Sequence, residues 1–352
     1  MAHPTVRAVC ADVAHAAGIR IDREAIHAFL RDLSQPSFDA HKTQHGVRFP
    51  LTFASVEDEV NFLAVLALLN AFSGYRIDFH KVTGHGAYDN VRRMVLGLYL
   101  SAEGEAANLS AEGLQHVTPS TLAQLLGVPT HTEAPHPTLP MVTVGVQGGP
   151  LKEPLELAAT VCRETGAFLQ QRHVPHLGAY VLQACEAAAA TDDADASLLA
   201  SLTEVPAFDD TYEWEGRRVC LWKKAYFLVH VLRGLLERPA LPPALVHLRE
   251  YYTTHKPAPL PLFVDNVLPT MLVTRHILSL EACTDSALSA WKAVPQQGGA
   301  NEVEGPRLSR DSAYRVRAAA LAAGAQIVEM AHAMARTMPD KAPCFSLCAA
   351  AV

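Results

Sequence analysis

Apolar residues recur along most of the chain at helical spacing. Ser55-Val-Glu-Asp58 has the form of a capping box, with a serine whose hydroxyl can accept a first-turn N–H. Val60, Leu63, Ala64 and Ala67 follow at i, i+3, i+4 and i+7. Val65, Leu66, Leu68 and Leu69 fill the opposite side, so this helix is expected to be buried nearly all round. The same periodicity predicts helices over 153–169, 177–190, 220–236 and 310–335, the last rich in alanine.

Strand-like alternation is brief. Between Thr211 and Leu221, Glu215-Gly216 separates Tyr212 and Trp214 from Val219 and Leu221, the pattern of a small hairpin. The prolines and glycines from Pro129 to Pro150 suggest a connector rather than a core element. Lys256-Pro-Ala-Pro-Leu-Pro261 favours polyproline II. Residues 295–309, with Gln-Gln-Gly-Gly and mixed charge, read as a flexible surface insertion or disordered loop. The expected architecture is mainly α, one helical domain over 1–352 with a small β-hairpin. Its helical parts span about 1–128 and 151–338, joined by the connector at 129–150. No internal repeat is found.

Composition narrows this picture. A chain of 352 residues, 49% hydrophobic and 18% charged, can bury a large core. Its net charge of −7 argues against long-range attraction to DNA or RNA, which needs many Lys/Arg–phosphate contacts. A mononucleotide needs only a local basic spot. The seven cysteines fit neither a disulfide framework nor a zinc site. The run Asn61–Tyr75 is too short to span a bilayer, and the N-terminus has no secretory pattern. A cytosolic or nuclear protein without membrane or direct nucleic-acid partners is expected.

Among 17 histidines, the tight pairs are His173/His176 and His131/His136, without supporting Cys or carboxylate ligands at metal spacing. Gly84-His-Gly86 and Gly145–Gly149 lack the strand–glycine–helix context of nucleotide loops and read as turns. Neither metal nor cofactor is expected.

Two segments carry more chemistry. Val205–Asp210, Trp214–Val219 and Trp222–Ala225 set an acid pair, a hairpin and two lysines at a helix start. Arg217, Arg218, Lys223 and Lys224 are either solvated charges or holders of a phosphate. In Phe263-Val-Asp265-Asn-Val-Leu-Pro269, an aspartate among apolar residues either caps the following helix, read as 267–278, or lines a pocket. Phe263 offers a flat face for a heterocycle.

These segments resemble the queuosine salvage proteins. Phe208-x-Asp210 with Trp214-Glu-Gly-Arg-Arg-Val219 and Trp222-Lys-Lys-Ala225 looks like that family's Y-x-D … F-E-G-K-R-V … Y-K-R-A block. Phe263-Val-Asp265-x-x-Leu268-Pro269 is similar to F-x-D-Y-R-L-P. Asn61-Phe-Leu with Leu69-Asn70-x-Phe72-Ser73 is similar to N-W … L-N-F-S-F-W. Arg315-x-Arg317-Ala318-Ala319 is similar to E-V-E-I-R. Ser73-Gly74-Tyr75-Arg76 and Gly84–Tyr88 resemble the fungal branch, and matches run from about residue 27 to 332.

The resemblance implies an all-helical fold related to helical DNA glycosylases. It implies hydrolysis of the N-glycosidic bond of queuosine 5'-phosphate, releasing queuine for tRNA modification. Phe263 would stack on the 7-deazaguanine, Asp265 would accept hydrogen bonds from it, and His45 would touch the queuine moiety. Asp210 and Lys223 would hold the phosphate or support the site. The family's terminal D-Y-Y-L-W-D-Y motif, whose first aspartate is the catalytic carboxylate, has no counterpart after Met338. Asp340 is the nearby candidate. The alternative is a relative that binds queuine or its nucleotide with impaired catalysis.

Overall fold

The computed structural model describes residues 3–33, 49, 51–101, 109–136, 138–139, 141–257, 259–291 and 308–337. The architecture is mainly α, as the periodicity indicates, with three two-stranded antiparallel sheets among the described residues. His45, Asp340 and most of the 295–309 segment lie outside the described residues.

The first elements in chain order are α1 (His3–Ala16), β1 (Arg20–Ile21) and α2 (Arg23–Asp32). Next come α3 (Val56–Leu69), α4 (Arg76–Thr83), α5 (Ala87–Leu100), α6 (Ala111–Gln115) and α7 (Pro119–Leu126). A hairpin of β2 (His131–Pro135) and β3 (Thr143–Gln147) precedes α8 (Lys152–Gln171), α9 (Leu177–Ala189) and α10 (Ala194–Leu202). Then follow β4 (Thr211–Trp214), β5 (Arg217–Cys220), α11 (Lys223–Leu235) and α12 (Pro243–Thr254). The described chain closes with α13 (Val267–Thr274), β6 (Leu278–Ser279), α14 (Ser286–Ser289) and α15 (Arg310–Thr337).

The α3 helix begins where the capping pattern predicts, with Ser55 Oγ accepting from Asp58 N at 3.0 Å. Every residue from Phe62 to Leu69 is buried, so it runs through the middle of the core. Helices α5, α9 and α11 pack around it. The α9 contact is close because position 178 is glycine: a Cβ there would lie 2.6 Å from Asn61 N. Asn61 fastens the crossing, accepting from Gly178 N at 3.0 Å and donating to Leu109 O at 3.1 Å.

Helix α15 carries the alanine pattern into a tight packing surface. Ala318–Ala320, Ala322 and Ala323 are all buried, and the helix lies against α1 and α13. By length and composition, Arg310–Arg336 could cross a bilayer, but 61% of its most apolar stretch is buried within the protein. At Gly324 a Cβ would sit 2.0 Å from Leu262 Cδ1. That missing methyl lets the segment leading to Asp265 lie directly on α15.

Two helix boundaries are corrected, and the connector proves to carry structure of its own. The 129–150 segment is a paired hairpin, with His131 opposite Gln147 and Pro135 opposite Thr143. Its strands are mostly exposed, so it builds structure without joining the core, and its punctuating prolines and glycines hid the pairing. The helix after Asp265 stops at Thr274 rather than 278. His276 adopts a left-handed conformation (φ 58°), and Leu278–Ser279 turns back to pair with Arg20–Ile21. The helix expected from 220 begins at Lys223, because Cys220 completes β5 opposite Thr211.

Candidate functional site

The hairpin β4–β5 turns through Glu215 (φ 49°) and Gly216 (φ 71°), as the Glu-Gly pair suggested. Its outgoing strand cannot run straight into α11. Trp222, the joint, is left-handed (φ 44°, ψ 34°), a costly conformation for a bulky residue. Neighbouring bonds hold it there. Trp222 Nε1 donates to Asp209 Oδ1 at 3.2 Å, and Leu221 N donates to the Asp210 carbonyl at 3.0 Å. Asp209 also takes two bonds from Arg218, at 2.7 and 2.9 Å.

This joint aims Lys223 and Lys224 at a cleft of about 360 Å³. Lys223 is buried and fully engaged. Its Nζ donates to Asn70 O (3.1 Å), Asn70 Oδ1 (3.2 Å) and Asp265 Oδ2 (3.2 Å), using all three protons. It therefore ties the end of α3 to the segment before α13. Asp265 Oδ1 accepts from Val267 N at 2.7 Å, so this aspartate both caps the start of α13 and lines the cleft. The two readings of Asp265 are compatible.

The opposite wall is built on Asp210. Its Oδ1 accepts from Tyr314 Oη at 2.7 Å and its Oδ2 from Arg317 Nη2 at 2.6 Å. Burial, and then the Asp210 charge, push the Tyr314 phenol up to about 12. Arg317 Nη2 also donates to Val264 O at 3.4 Å, linking this wall to the Asp265 segment. Tyr212 stacks on Tyr314, with ring centroids 4.9 Å apart and planes 14° apart, which docks the hairpin on α15.

Lys224 stands between the walls and lines the cleft without a hydrogen-bonded or ion-paired partner among the described residues. Burial is the main cause of its lowered basicity; the nearby Lys223 and Arg317 charges add to it and Asp210 opposes it. The ammonium is brought down to about 8. Arg310, which is exposed, lies at the rim.

Asp210, Lys223 and Asp265 are thus brought together. Phe263 is not among the residues lining this cleft. Val264 is fully buried, while its chain neighbours Phe263 and Asp265 are partly exposed. The Phe263 ring lies edge-on to Phe227 (6.0 Å) and His230 (5.6 Å), a neighbouring aromatic patch. Tyr314 was missed as a site residue, whereas Lys224 was among the four basic side chains read as solvated charges or phosphate holders. A signal existed: Arg310, Tyr314 and Arg317 form an i, i+4, i+7 polar stripe on an alanine-rich helix.

The histidine pair has another use. His176 Nδ1 accepts from Ala179 N at 3.1 Å, capping α9, while Nε2 faces Glu57 at 3.2 Å. Among the described residues no group of three His, Cys, Asp or Glu side chains forms a metal-ligand cluster. The five described cysteines are buried free thiols, and burial pushes Cys10, Cys162 and Cys185 up to about 12. Neither a protein-family model nor a curated protein matches this chain.

Proposed function

We propose that this protein hydrolyses the N-glycosidic bond of queuosine 5'-phosphate and releases queuine for salvage into tRNA. One observation carries the reading. The four segments that resemble the queuosine salvage family lie far apart in sequence, yet each contributes to one cleft. Asn70 comes from the first, Asp210 with Lys223 from the second, Asp265 from the third and Arg317 from the fourth. The likeness to helical DNA glycosylases, and action in the cytosol or nucleus, belong to the same proposal.

The chemistry fits such a lining. Breaking the bond between C1' and the base nitrogen leaves the electron pair on the base, which takes up a proton. Water adds to C1', giving ribose 5-phosphate. Positive charge builds on the sugar in the transition state, so nearby carboxylates stabilise it. Asp265, held by Lys223 and the first N–H of α13, keeps acceptor capacity for the edge of the base. Phe263 would contribute its ring from the adjoining patch, and Asp340 is the candidate for the carboxylate at the anomeric carbon.

A second reading, binding without turnover, is favoured by a specific feature. Each carboxylate lining the cleft is already paired with a cation: Asp209 with Arg218, Asp210 with Arg317 and Asp265 with Lys223. The deciding experiment incubates the purified full chain with queuosine 5'-phosphate and follows queuine by chromatography and mass spectrometry. Release that disappears in Asp265→Ala, with the variant still folded by circular dichroism, is the expected result. Calorimetric binding of queuine without product selects the second reading, and neither binding nor release rejects both.

A further inference from the structure

The β2–β3 hairpin stands apart from the helical core, its two strands packing mainly on each other. It holds half of the strongly exposed large apolar side chains among the described residues: Leu139, Met141, Val142 and Val146. Met141 is 97% exposed. Apolar surface gathered on so small an element marks a place where something docks. None of the cleft-lining residues comes from this hairpin, so the hydrolase reading leaves it without a task.

The ladder fixes which backbone groups face outward. Gly148 N donates to Thr130 O at 2.9 Å, and His136 N donates to Val142 O at 2.7 Å. Bonded and non-bonded pairs alternate along an antiparallel ladder, so Thr132–Val146 and Ala134–Val144 are bonded pairs too. The N–H and C=O groups of Thr143, Gly145 and Gln147 therefore point away from β2, and no hydrogen bond engages them among the described residues. Thr143–Gln147 holds neither charge nor proline, the devices that keep strand edges from pairing. The other strands have such protection. Glu133 and Pro135 face outward on β2, Arg217 and Arg218 stand on β5, and β1 and β6 are only two residues long.

The open edge complements itself. Turned about a two-fold axis at Gly145, Thr143-Val-Gly-Val-Gln147 lies antiparallel to its own copy, Thr143 opposite Gln147 and Gly145 opposite Gly145. All the outward groups then meet in bonded pairs, giving about six backbone hydrogen bonds. Val144 and Val146 fall opposite each other in the non-bonded pairs, where side chains approach most closely. Gly145 itself needs a reason. A Cβ there would meet nothing nearer than 3.9 Å within the chain, so the hairpin's own packing does not require glycine. Glycine inside a strand is a mark of close approach by another backbone.

We propose that β3 is a self-association edge, through which two copies of this chain join their hairpins into one four-stranded antiparallel sheet. Charge permits a second copy here. The chain's net charge is −7, yet Glu133 is the hairpin's single acid. In the joined sheet the two Glu133 residues lie on the outer strands, about 14 Å apart at ordinary strand spacing. That exceeds the screening length of about 8 Å in physiological salt. Assembly stops at two copies. The edges left over belong to β2, where Glu133 and Pro135 face outward, so the contact closes on itself instead of growing into a filament.

Sedimentation velocity on the full chain is expected to show a monomer–dimer equilibrium that moves toward dimer with concentration. Two double variants, Val144→Glu with Val146→Glu and Val144→Lys with Val146→Lys, each set like charges opposite one another across the two-fold axis. Each alone should be monomeric, with its helices intact by circular dichroism. Mixed in equal amounts they should dimerise again, because every added carboxylate then faces an ammonium. Cross-linking reads the register separately. Gly145→Cys should give a disulfide-linked dimer under mild oxidation, since opposed residues of a bonded pair lie about 5.5 Å apart at Cα. Gln147→Cys should not, because its counterpart lies roughly 14 Å away along the copied strand. A wild type that stays monomeric at submillimolar concentration overturns the proposal and leaves the edge to an extended segment of another protein. A dimer that both double variants retain, or equal cross-linking through positions 145 and 147, overturns it as well.

Discussion

The same three side chains meet twice in this molecule. In one place Arg233 of α11 donates to Asp195 of α10 at 2.7 Å, Tyr252 of α12 donates to the same carboxylate, and the guanidinium lies 5.4 Å from the tyrosine ring. In the other, Arg317 and Tyr314 engage Asp210, with the guanidinium 5.3 Å from the ring. In both, burial and the neighbouring aspartate raise the phenol's pKa. The difference lies in what surrounds them. The first trio joins three helices and its aspartate is nearly inaccessible; the second forms the wall of a cleft beside an unmatched lysine. An Asp–Arg–Tyr cluster is therefore not itself a sign of function. The unbalanced charge next to it is the informative feature.

The sharpest way to break this comparison is to remove each arginine. Arg233→Met and Arg317→Met should each lower stability by about 3 kcal/mol, because a carboxylate is left without its cation. Only Arg317→Met should also remove ligand binding. Denaturant melts and calorimetry on both variants decide it, and equal effects on binding would erase the distinction. Next in size is Gly324→Ala. Its new methyl would collide with Leu262, costing about 1–3 kcal/mol. By shifting the segment that carries Asp265, it should weaken ligand binding more than the Asp195 trio is disturbed.

A smaller effect has the opposite sign. Lys224 is less basic in the folded protein, about 8, than its ordinary 10.5. Its charged form is thus disfavoured by folding. That penalty is fully present below about pH 8 and fades as pH rises toward 10.5. Lys224→Met should raise stability by about 1 kcal/mol at pH 7, read by thermal melts, with the gain shrinking by pH 10. The smallest effect is expected at the hairpin's outer tie, where exposed Arg217 meets Asp12 at 2.8 Å. Arg217→Ala should change stability by no more than about 0.5 kcal/mol.

The sequence disclosed α8, α9, α11 and α15 because each buries a stripe, and α3 because it buries every side. It disclosed the β4–β5 hairpin through Glu215-Gly216, whose backbone needs positive φ at both positions. Asp265 stood out as an acid among apolar neighbours, and Asp210 as half of an acid pair before the hairpin. The division of labour between Lys223 and Lys224 was not visible, because it depends on a left-handed tryptophan that sets where two adjacent side chains point. Nor was the partnership of Asp210 with Tyr314, 104 residues away, since pairing at that separation is a property of the fold. The β2–β3 hairpin escaped because its strands lie mostly exposed and bury no alternating face to mark them.

The packing of α1 against α15 also sets a timetable for biosynthesis. At ribosomal rates of about 5–20 residues per second, α1 emerges roughly 15–60 s before the helix it needs. Until then its apolar side lacks its mate, and the cleft lacks Tyr314 and Arg317. Over that interval the nascent chain carries an unmatched apolar face, and the cleft is complete only once α15 has been made.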